Sequence, residues 1–135
     1  MKRTIILLVV IFISGSFTQQ PQNLFNIDLR IRVVDDDLLY IVVQIDNNSG
    51  RTVTELEGFI TELDPFNRVI SEHKIIHLHN YEPMLKNDQT VMRGVTYHYD
   101  RTNDYRYRYH INHIKFYHDH RIFLYSKLDG LLRIK

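Results

Sequence analysis

The sequence has no cysteine, and only 5 glycines and 3 prolines among its 135 residues. Without cysteine there is no disulfide framework, no thiolate-bound zinc or iron–sulfur cluster, and no thiol nucleophile. Glycine and proline fall well below their usual share, which excludes a collagenous or linker-like chain. An excess of one charge is also missing, since 17 Lys and Arg stand against 16 Asp and Glu. That balance excludes a nucleic-acid binder that works by basicity of the whole chain. Catalytic signatures are absent too: there is no G-x-S-x-G elbow, P-loop or G-x-G-x-x-G turn. The reading is therefore a non-enzymatic globular domain with no cofactor, of a length that suits a single domain.

What is present begins with Lys2 and Arg3, an apolar run from Ile5 to Ile13, and small or polar residues Ser14, Gly15, Ser16 and Thr18. A charged start, a short apolar stretch and a small-residue zone are the three parts of a secretory signal peptide. The run is far short of the ~20 residues that span a bilayer. The expectation is a signal peptide over residues 1–18, cleaved to start the mature chain at Phe17 or Gln19, and a single domain over 19–135. The mature protein is expected in the periplasm or secreted, with no stable membrane span. Removing Lys2 and Arg3 turns the slight positive balance slightly negative.

Beyond that label, strict alternation runs from Phe25 to Val33, with Phe25, Ile27, Leu29, Ile31 and Val33 on one side and Asn26, Asp28, Arg30 and Arg32 on the other. Period two means one buried and one wet face of a strand. Asp35-Asp36-Asp37 is a turn, and Leu38 to Ile45, apolar on nearly both faces, reads as a central strand. Asp46-Asn47-Asn48-Ser49-Gly50 is the strongest turn signal in the chain. Further strands are expected over Thr52–Leu63, Val69–His79, Val91–Tyr99, Tyr105–Tyr117 and Ile122–Ser126, with loops at Asp64–Arg68 and Asn80–Asp88. No window sustains a helical period. About seven short strands at this spacing predict an all-β, antiparallel sandwich. Its expected core includes Phe25, Ile27, Leu29, Ile41, Val43, Ile60, Val95 and Ile111.

The order of features resembles the immunoglobulin-like sandwiches of exported bacterial proteins, including the family named for a Phe-x-Leu-Tyr-Asp motif. The matching features are the Asp46–Gly50 turn, Asp64 followed by Val69-Ile70, Pro83 and Leu85 before Asn87-Asp88-Gln89-Thr90, and Ile111, Ile114 and Phe116. At the naming motif, Ile60, Glu62 and Leu63 stand in place of Phe, Leu and Tyr, and Asp64 agrees. The resemblance implies an immunoglobulin-like accessory or binding module and carries no catalytic residue.

Two residue types are over-used. Among eight histidines, His77-Leu78-His79 and His118-Asp119-His120 have a spacing that puts two imidazoles on one face of a strand. They are the candidate ligands of an alternative reading, a periplasmic metal-binding protein with Asp119 as an outer partner. As plain wet-face residues, all eight should titrate near their ordinary value of about 6.5. Tyr97, Tyr99, Tyr105, Tyr107 and Tyr109 share one phase on two strands, read as a hairpin joined by Asp100–Asp104. They are continuous with the apolar face, so they should pack at one end of the core with hydroxyls reaching solvent or backbone. His98, Arg106, Arg108 and His110 take the opposite, solvated face. Glu55, Glu57, Glu62 and Asp64 read as surface alternation, and Asp35-Asp36-Asp37 with Asp46 as turns rather than a calcium site. The first reading is thus an exported binding or interaction module. Its expected partner is a protein or a cell-envelope component, not a nucleic acid, met by a sheet face, an edge strand or the end loops.

Overall fold

Eight antiparallel strands carry this alternation. The computed structural model describes residues 23–79 and 83–135. The expected signal segment and the first part of the Asn80–Asp88 loop lie outside the described residues. The strands are β1 (Phe25–Asp35), β2 (Leu38–Asn47), β3 (Val53–Leu63), β4 (Val69–Leu78), β5 (Thr90–His98), β6 (Arg106–Phe116), β7 (Phe123–Ser126) and β8 (Gly130–Arg133). Seven correspond to the expected segments. The eighth is unforeseen, and it exists because the chain doubles back after Ser126. Gly130 takes the left-handed φ of 70°, and Ser126 Oγ accepts the Asp129 N–H at 3.0 Å.

The strands form two sheets, in the order β1-β2-β5 and β4-β3-β6-β7-β8. β2 is the middle strand of the smaller sheet, which accounts for its apolar character on both faces. Leu39, Ile41, Val43 and Ile45 point inward and are buried. Between the sheets they meet Val53, Leu56, Ile60, Ile111, Ile114 and Phe116. Of the eight expected core residues, Phe25, Ile41, Val43, Ile60 and Ile111 are buried, and Ile27, Leu29 and Val95 are half-buried against them. The Asp46–Gly50 turn is tied down by Asn47, whose side chain donates to the carbonyls of Arg51 (2.8 Å) and Leu85 (3.1 Å).

One connection differs from its sequence reading. β5 pairs with β2, whereas β6 pairs with β3. Asp100–Asp104 is therefore not a hairpin but a crossing from one sheet to the other. A five-residue polar loop suits either role, so local chemistry does not separate them.

Among the bulges in these ladders, two bear on which side chains face inward. Leu56 pairs with Leu78 and Glu57 with Ile76, leaving His77 as an extra residue in β4. Ile75 and His77 are buried with Ile76 exposed between them, and the extra residue lets Leu78 turn inward as well. On β6, Glu57 pairs with His113 and Gly58 with Ile111, so Asn112 is the extra residue. This bulge keeps Ile111, Ile114 and Phe116 all facing inward despite their uneven spacing.

Candidate functional site: a tyrosine-lined cleft between the sheets

Because β5 and β6 belong to different sheets, the two tyrosine stripes face each other across the sandwich instead of lying side by side. Tyr97, Tyr99, Tyr107 and Tyr109 pack half-buried against the core. The ring centroids of Tyr97 and Tyr107 lie 5.3 Å apart. Tyr109 lies flat over Gly58, where any side chain would collide with its ring. At this end the sheets part to leave a cleft of about 830 Å³, walled by Ile31, Val33, Leu39, Tyr99, Tyr105 and Tyr107 and bordered by the Asp100–Asp104 crossing.

The cleft exists because the opposing strands have different lengths. β1 and β6 have 11 residues each, but β7 has only 4. β7 pairs with β6 at Ile111 and Ile114 and then turns into β8. At the β7 end Phe25 meets Tyr125 edge-on, with ring centroids 5.2 Å apart. Further along β1 nothing among the described residues replaces that cover, and Ile31 is 48% exposed although it belongs to the inward phase. A smaller cavity of about 280 Å³ beside Ile27, Tyr109 and Ser126 continues the same gap.

Glu62 puts a buried carboxylate into the cleft. The alternation that turns Leu56, Gly58 and Ile60 inward continues to Glu62, which is 8% exposed. Its reading as a surface carboxylate is therefore wrong, and its phase was the signal that could have placed it. Tyr107 Oη donates to one carboxylate oxygen at 2.6 Å and Ser71 Oγ to the other at 3.2 Å. A carboxylate accepts about four hydrogen bonds, so these two leave acceptor capacity for a ligand. Burial, with the Glu62 charge added, pushes the Tyr97 hydroxyl up to about 12, and the same causes together with the Glu62 bond raise Tyr107 further still. The expectation that tyrosine hydroxyls reach solvent or backbone thus fails for Tyr107 and Tyr109, whose partners are interior side chains. Tyr97 Oη is buried and finds no partner among the described residues.

Asp64 is also buried rather than at the surface. Its carboxylate accepts the backbone N–H of Phe66 (2.8 Å) and Arg68 (2.9 Å), and the Arg68 Nε–H at 2.7 Å. Burial alone would raise its pKa, but these bonds and the Arg68 charge outweigh it and hold the carboxyl below its ordinary range. Asp64 is a turn-builder between β3 and β4.

The four histidines of the metal reading do not converge. His77 is fully buried, and its Nε2 bonds Tyr109 Oη at 2.6 Å. Burial, with the charge of Arg93 added, pushes this imidazole down to about 4 instead of its ordinary value. The wet-face reading of His77 is overturned by its phase: it follows the buried Ile75 in ordinary alternation, with Ile76 exposed between them. His79 is exposed, just past the end of β4. His118 and His120 lie in the β6–β7 connection rather than on a strand, and His118 has a φ of 59°. Between them Asp119 is bound by Arg121 at 2.8 Å and Arg51 at 2.9 Å, bonds that hold its carboxyl far below the usual range. Among the described residues no group of three or more His, Asp or Glu could hold a metal ion. The Asp35–Asp37 turn and Asp46 lie at opposite ends of the β1–β2 hairpin.

No protein-family model matches the chain, and no curated protein matches it in sequence. In fold it is similar to the crystal structure of a Bordetella pertussis protein assigned the name ApaA. The TM-score is 0.52 and the identity 13%, over 82% of this chain and 85% of that one. At that identity the likeness shows the fold alone.

Proposed function

We propose that this chain is an exported, non-enzymatic binding module of immunoglobulin-like architecture, and that the tyrosine-lined cleft holds its ligand. The observation that carries the reading is the cleft itself. Its volume falls within the roughly 300–1,000 Å³ of small-molecule and side-chain pockets, and its walls combine apolar and tyrosine side chains with a buried carboxylate and a polar mouth. The immunoglobulin-like assignment is supported by the way the chain crosses between sheets, with β5 returning to β2 after β3 and β4. Export is supported by the tripartite sequence of residues 1–18. The partner is a protein or a cell-envelope component, met at the end of the sandwich where the crossing loop lies.

Nile red, an uncharged dye that brightens in apolar surroundings, tests the cleft. It should bind one site per chain, and Ile31→Trp, which fills the cleft from an exposed position, should abolish the signal while leaving the fold intact. Dye binding that survives in Ile31→Trp would place the apolar site elsewhere. N-terminal sequencing of native protein should start at Phe17 or Gln19, and an intact Met1 in the cytosol would refute export.

A further inference from the structure

β6 is bonded to β3 along its whole length, but β7 covers its other edge only from Ile111 onward. Among the described residues nothing pairs with that edge over Arg106–Tyr109. This edge stands beside the cleft, whose walls include Arg106 and Tyr107 of β6 and the inward residues Ile31 and Val33 of β1. A strand laid there would continue the line that β7 abandons at Ser126 and would cover the apolar side chains that β7 leaves bare.

We infer that the gap is a receptor groove for an extended segment of another protein, added to β6 as a strand, with apolar residues facing into the cleft and acidic residues facing out. This rests on the reading of the cleft as the binding site. Strand addition draws affinity from main-chain hydrogen bonds and specificity from alternate side chains. The inward positions would meet Ile31, Val33 and Tyr107, so they call for apolar side chains. The outward positions would lie beside Arg106 and Arg108, both exposed. Across β3 these two arginines face Leu63 and Thr61, which carry no charge. Among the described residues the Arg106 guanidinium bonds the neutral Asn67 Oδ1 and no carboxylate. Opposite charges directly across a strand pair are favourable and like charges are not, so this face selects Asp or Glu. At the far end the carboxylates of Asp100 and Asp104 line the mouth of the cleft. They confine the acidic positions to the Arg106–Arg108 stretch.

The test uses two acetylated and amidated heptapeptides, one alternating Val and Glu, the other alternating Val and Lys. The Val-Glu peptide should bind at least tenfold more tightly, and its binding should slow amide hydrogen exchange at Arg106–Tyr109. The double variant Arg106→Glu/Arg108→Glu changes only exposed side chains and should reverse the preference, whereas Ile31→Trp should abolish both. Equal affinity for the two peptides, or protection at another edge, would overturn the inference. Protection of Arg106–Tyr109 that grows with protein concentration in the absence of peptide would assign the groove to a second copy and likewise overturn it. If Nile red still occupies the cleft while neither peptide binds, the strand partner alone is refuted. If neither dye nor peptide binds, the cleft reading fails as well.

Discussion

The two ends of the sandwich are built from the same alternation and end in opposite states. At the β7 end Phe25, Ile45, Val53, Leu56, Ile114 and Phe116 are fully or nearly fully buried. Phe116 is packed by Phe123, with ring centroids 5.8 Å apart, and capped by Arg51, whose guanidinium lies 3.9 Å from its ring centre. At the other end the inward phase passes to tyrosines, with Glu62 among them and Ile31 and Val33 only about half covered. Alternation sets which side of a strand faces in. Whether that side is filled depends on how many opposing strands reach it. Tyrosine suits the unfilled end because its ring packs while its hydroxyl takes a polar partner, as Tyr107 does with Glu62 and Tyr109 with His77.

The largest test of this contrast is Phe116→Ala against Ile31→Ser. The first should cost about 3–5 kcal/mol in denaturant unfolding, because it empties a closed part of the core. The second should stay within about 0.5 kcal/mol, as a change at a position already in contact with water. Similar costs for the two would mean that the cleft end is as tightly closed as the other.

A pH titration of stability sharpens the contrast inside the tyrosine end. His77 takes a proton near 6.5 in the unfolded chain and only near 4 in the folded one. Its stabilisation is therefore fully present above about 6.5 and is lost as pH falls towards about 4. The loss is at most about 1.4 kcal/mol per pH unit. The melting temperature should fall across that window, most cleanly above pH 5, before surface carboxylates titrate. His77→Phe should flatten the profile. A flat wild-type profile would put His77 back on a wet face, as its spacing first suggested.

A smaller effect is expected at Glu62. Glu62→Ala removes the acceptor of the Tyr107 hydroxyl and should cost about 1–3 kcal/mol, the penalty of an unmet interior polar group. Glu62→Gln keeps an acceptor and should cost less. A change within about 0.5 kcal/mol for Glu62→Ala would show that water reaches the carboxylate freely, and that the cleft is open to its floor.

Much of the architecture was legible in the residues alone. Seven strands, their inward faces and the central place of β2 follow from period-two alternation, since a pleated strand sends successive side chains to opposite faces. The same logic would have placed Glu62, whose phase is inward, but its charge led to a surface reading that its burial overturns. Three features depended on the tertiary structure. The assignment of β5 and β6 to different sheets rests on which strands they meet across space, and the Asp100–Asp104 loop is compatible with either outcome. The inward turn of both His77 and Leu78 rests on one extra residue in β4, so the apolar Ile75-Ile76 and Leu78 could not by themselves say which phase is buried. The cleft rests on β7 ending at Ser126 while β1 and β6 run on. A chain's alternation is local, but the length of the strand opposite it is not, and that difference decided where this sandwich closes and where it stays open.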